Sequence, residues 1–79
     1  MNNKIFVVVY VPYINESFDL FIPINKKVGT IKNIIINTID GFDKLISHVL
    51  INEEDNKEVE DNVYVKNSSI KNGARLILI

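Results

Sequence analysis

The sequence predicts an α+β domain in which one mixed sheet of four to five strands carries one helix packed across one face. Three observations lead there. Two apolar, strand-forming runs sit near the ends of the chain, at residues 5–11 and 74–79. Between them, "KKVGTIKNIIINTIDG" spaces its isoleucines as a helix does. That helix has one apolar stripe, enough to cover a single layer. With 79 residues and 47% of them hydrophobic, the chain holds one compact core, so residues 1–79 form a single domain.

Residues 5–11, "IFVVVYV", are β-branched or aromatic throughout, which favours a strand over a helix. A signal peptide is the competing reading of this N-terminal run. No small-residue cleavage site follows it, and it is much shorter than the ~20 apolar residues that cross a bilayer. Pro12 has no amide to donate and suits the strand's end. After "NES", the alternation of Phe18, Leu20 and Ile22 starts a second strand, forming a hairpin with a loop longer than two residues.

In the helix, Val28, Ile31, Ile35 and Ile39 fall within about 80° of one another at 3.6 residues per turn. Its isoleucine-rich body makes it dependent on packing. The start lies between Lys27 and Thr30, with Gly29 weakening the first turn. Asp40-Gly41 supplies a stop, with Phe42 reaching back to Ile36. A third apolar run, 45–51, contains His48, the only histidine. A polar stretch, "NEEDNKEVEDN", and a short strand or turn then lead to Asn72-Gly73 and the last strand. This order, β-β-α-β-(short β or turn)-β, is that of the β-grasp or ubiquitin-like fold, whose first and last strands lie parallel at the sheet's centre.

Catalytic chemistry lacks its parts. Gly29, Gly41 and Gly73 are too scattered for a phosphate-cradling loop. With no cysteine and one histidine, neither a Cys/His pair nor a zinc site of such ligands can form. No serine stands in a nucleophile-elbow context beside His48. The acidic run from Glu53 to Asp61 lacks the alternating ligands and turn glycine of a calcium loop, and reads as solvated. Lys26-Lys27 likewise reads as a solvated pair before the helix. The net charge of −1 and the single arginine, Arg75, provide no nucleic-acid footprint. The sequence therefore predicts no enzyme, no cofactor and no metal.

What remains is a surplus of apolar residues. With Ile5, Val7 and Val9 inward, alternation turns Phe6, Val8 and Tyr10 away from the helix. With Ala74, Leu76 and Leu78 inward, Arg75, Ile77 and Ile79 point outward. Alternation alone leaves the middle strand's parity open; with Val49 and Ile51 inward, His48 and Leu50 join the outer face. Phe6, Val8, His48, Leu50, Arg75, Ile77 and Ile79 are thus the expected partner-binding residues, on an apolar face larger than small monomers normally expose.

"KIFVVVYVPYINESFDLFIPI" and "SIKNGARLILI" resemble the first hairpin and the last turn and strand of ubiquitin. Phe18-Asp19-Leu20, Val28 with Ile31, and Ile70-Lys71-Asn72-Gly73-Ala74-Arg75-Leu76 resemble motifs of the YukD/EsaB family, small ubiquitin-like proteins of bacterial type VII secretion systems. The resemblance implies a cytoplasmic accessory component of a machine that exports WXG-type proteins. It would dock on a membrane or ATPase component and not insert into the membrane itself. It also implies no conjugation, because a diglycine-type C-terminus is absent. Two other roles compete: a ubiquitin-like adaptor or homodimer outside secretion, and a carrier activated at its C-terminus.

Overall fold

The computed structural model describes residues 3–39 and 47–79. β1 (Lys4–Val11) and β2 (Glu16–Pro23) form the predicted hairpin, joined by a 3-10 turn at Pro12–Ile14. Asn15 closes that turn at φ 53, and its side-chain Oδ1 accepts a 2.8 Å hydrogen bond from the Tyr10 hydroxyl. Asparagine tolerates this left-handed conformation better than most residues do.

Helix α1 runs from Val28 to Thr38. Its N-cap residue, Lys27, makes no side-chain capping bond. Its attachment comes from burying Val28, Ile31, Ile35 and Ile36, with Ile39 just beyond its end. Gly29 is needed for a close approach. Its amide donates to the Asp61 carbonyl at 3.0 Å, and a Cβ there would lie 3.0 Å from the Asp61 Cβ. The Asp40-Gly41 stop and the Phe42 contact predicted from sequence lie outside the described residues.

Three strands follow: β3 (Leu50–Asn52), β4 (Lys57–Glu58) and β5 (Ala74–Leu78). The sheet order is β2-β1-β5-β3-β4, with β1 and β5 parallel and the other neighbours antiparallel. This is the β-grasp arrangement, among the described residues a five-stranded mixed sheet crossed by one helix. The short strand or turn expected after the polar stretch is one bridge, Lys27 to Tyr64, followed by a 3-10 turn at Val65–Asn67.

The central pairing is fixed at its entrance. Gly73, at φ 87, donates its amide to the Phe6 carbonyl at 2.7 Å. The Phe6 amide in turn donates to Asn72 Oδ1 at 2.8 Å. Asn72-Gly73 thus turns the chain and ties the start of β5 to β1.

The core lies between this sheet and α1. Val7, Val9 and Val11 meet Leu76, Leu78 and Leu50, all at 1% exposure or less. Leu76→Ala opens a cavity here and is expected to lower unfolding free energy by about 2–5 kcal/mol in urea titration. Gly73→Ala forces a Cβ into the left-handed region and should lower it by about 1–2 kcal/mol.

Candidate functional site

The face of the sheet opposite α1 is built by strand alternation. β1 directs Phe6, Val8 and Tyr10 to it, and β5 directs Arg75 and Ile77, with Ile79 following. The pairings arrange these residues in cross-strand rows. Asp19, Val8, Arg75 and Glu53 make one row, and Ser17, Tyr10, Ile77 and Ile51 the next. Val49 and Ile79 exchange backbone hydrogen bonds of 2.7 and 2.9 Å and extend the face at its far end. At the other end the Phe6 and Phe21 rings lie 5.5 Å apart at 56°, a tilted geometry that aromatic pairs favour.

Two of the predicted residues are elsewhere. Leu50, 1% exposed, and His48, 7% exposed, belong to the inner side. The parity of the middle strand is the reverse of the sequence-based assignment, so Val49 and Ile51 take their places on the outer face. The cause is Asn52, a polar residue in a buried position. Its amide group donates to the carbonyl and hydroxyl of Ser69 at 3.2 and 3.1 Å, and its Oδ1 accepts from the Glu54 amide. These bonds replace the water that a buried amide would lose.

The face is largely apolar, with Asp19 and the Arg75–Glu53 ion pair as charged groups within it. Arg75 Nε lies 3.5 Å from Glu53 Oε2, and the Glu53 amide bonds the Arg75 carbonyl at 2.9 Å. Both side chains remain well exposed, so the pair contributes little to stability and leaves a guanidinium among apolar neighbours. Ile79, at 52%, and Phe21, at 68%, are the most exposed apolar groups beside it.

His48 instead lines a polar cavity of about 430 Å³ with Ser47, Glu58 and Asp61. Lys32 dominates it, 2.9 Å from Asp61 Oδ1 and donating to the His48 carbonyl at 2.7 Å. Asp61 is therefore committed to a lysine. Among the described residues, no group of three His, Cys, Asp or Glu side chains could hold a metal.

No protein-family model matches the sequence, and no characterised protein matches it in sequence. Solved structures do match. A chain from a structure reported as molecular mimicry of SUMO promoting DNA repair has TM-score 0.84 and 13% identity, covering 100% of this chain and 94% of that one. The ubiquitin-like domain of an Arabidopsis thaliana protein has TM-score 0.77 and 16% identity, over 99% and 78%. A chain of the MycP5-free ESX-5 inner membrane complex has TM-score 0.77 and 12% identity, over 99% of this chain and 21% of that one. At these identities the likeness establishes the fold, which is ubiquitin-like.

The parity of the middle strand is testable. Ile51→Asp should keep the native circular dichroism spectrum and a cooperative thermal transition. Leu50→Asp buries an unpaired carboxylate and should abolish that transition.

Proposed function

We propose that this chain is a non-catalytic docking module, an accessory or regulatory component acting on the cytoplasmic side of a type VII secretion system. Its docking surface is the outer sheet face formed by Phe6, Val8, Ile51, Arg75, Ile77 and Ile79. The observation that carries the reading is that face: contiguous half-buried and exposed apolar side chains from adjacent strands, with one exposed arginine among them. Apolar patches of this kind on small domains mark protein contacts, and arginine is enriched where such contacts form.

The secretion assignment draws support from the family motifs and from the likeness to a chain of an ESX-5 inner membrane complex. This domain spans 21% of that much longer chain. No helix among the described residues is long and apolar enough to cross a membrane. The domain would meet the machinery by docking. A membrane or ATPase component is the fitting partner.

The test is binding of the purified chain to the cytoplasmic portion of the ATPase component from the same organism, measured by titration calorimetry. Phe6→Asp and Ile77→Asp should each weaken binding by about tenfold or more, as central interface anchors do, while unfolding stays cooperative. Equal affinity in both variants overturns the outer face as the docking surface. A wild-type chain that sediments as a dimer through this face favours the homodimer. Intact mass should stay unchanged after incubation with ATP and host extract, whereas a covalent adduct favours the carrier.

A further inference from the structure

The far edge of β2 provides a second recognition site, of different character. Ile24 donates its amide to the Asn3 carbonyl at 2.9 Å, which makes Asn3 and Ile24 a hydrogen-bonded pair. Antiparallel ladders alternate bonded and non-bonded pairs. With the β1–β2 register, the bonded residues of β2 are therefore Glu16, Phe18, Leu20 and Ile22. The peptide groups of Ser17, Asp19, Phe21 and Pro23 point away from β1. β2 is the terminal strand of the sheet, so these groups have no ladder partner among the described residues. Pro23 falls in this outward set, where its missing N–H removes no bond to β1.

Beside this edge runs an apolar groove of about 520 Å³, between β2 and α1. Phe18, Leu20 and Ile22 form one wall, and Ile34, Ile35 and Thr38 the other. Ile34 is 58% exposed although it sits in a run of three isoleucines on the helix. An added strand places alternate side chains on opposite faces. One set would enter this groove, and the other would lie beside exposed Phe21 on the outer face.

We propose that this edge captures an extended apolar segment of a partner protein by strand addition, with a lysine or arginine of that segment cross-strand from Asp19. Backbone bonds to Ser17, Asp19 and Phe21 hold the segment, and the groove selects its inward side chains. Charge identifies the occupant. β2 carries two carboxylates, Glu16 and Asp19, and no cation, and among the described residues Glu16 is the only charged one lining the groove. A second copy paired along this strand would add two more carboxylates to the same ribbon, an unfavourable gathering of like charge. A basic segment offsets it. The site is separable from the outer-face reading, since outward backbone groups of β2 and a groove on the helix side hold the segment, with Asp19, beside Val8, the point where the two surfaces meet.

The test titrates synthetic peptides of about nine residues, long enough to span the edge, into the isotopically labelled chain. One peptide alternates valine with threonine and has lysine opposite Asp19. A second has glutamate there, and a third is N-methylated at the amides that would bond β2. The lysine peptide should slow hydrogen exchange at the Ser17, Asp19 and Phe21 amides, and leave Phe18, Leu20 and Ile22 unchanged because β1 already protects them. The glutamate peptide should bind several-fold more weakly, and the methylated one should not bind. Asp19→Lys should invert the preference between lysine and glutamate peptides, and Ile34→Asp should weaken both. Ile77→Asp should leave peptide binding unchanged, which separates this site from the docking face. Failure to slow exchange at those three amides overturns the proposal, as does equal binding of the methylated peptide. Protection that rises with protein concentration alone, without peptide, assigns the edge to a second copy and overturns it too.

Discussion

The parallel pairing of β1 with β5 is the constraint on which the rest of the molecule depends. It joins Val7 to Ala74 and Val9 to Leu76, far apart in the chain, and places both strands in the middle of the sheet. Each then has a strand on both sides and α1 below, which explains why Val7, Val9, Leu76 and Leu78 are almost wholly buried. The Asn72-Gly73 turn positions this pairing by bonding both backbone polar groups of Phe6. β2 and β3 are attached to this central pair, and α1 rests on its inner side chains.

One helix covers one face, so the other face is left to solvent or a partner. The chain fills that exposed face with valine, isoleucine and phenylalanine where charged residues would serve solubility better. Asp19, Arg75 and Glu53 are exceptions, and the pairing of the last two keeps an ionic group inside the apolar area. The loop after β2 is treated differently. Lys26, Val28, Val63 and Val65 lace it to the 61–66 segment by backbone bonds, and the Lys32–Asp61 pair adds a side-chain tie. That side of the domain is closed by polar groups that already have partners.

Much of this was legible in the sequence because the two end strands have clear parity. Arg75 lies between Ala74 and Leu76, and its charge marks the outward side of β5. The isoleucine spacing of α1 likewise named its buried face, although Ile36 joins that face as well. The middle strand was unreadable for a physical reason. "HVLIN" has apolar residues on both faces, and its polar members, His48 and Asn52, occupy buried positions. Hydropathy therefore pointed the wrong way, since only tertiary partners such as Ser69 show how a buried amide is satisfied. The β2 edge was also hidden: which peptide groups face outward follows from strand register, and side-chain pattern does not encode it.

The Asn72–Phe6 bond spans 66 positions in the chain, and this separation has a consequence for biosynthesis. The hairpin and α1 leave the ribosome before β5, carrying a valine-rich strand with one side unpaired. The sheet cannot close around β1 until residue 78 has emerged, because β5 lies between β1 and β3. Until then the nascent chain exposes the strand that later becomes its most protected. Its vulnerable interval on the ribosome is set by translation of the segment between the helix and the final strand, and a pause there would lengthen its exposure to aggregation and chaperones.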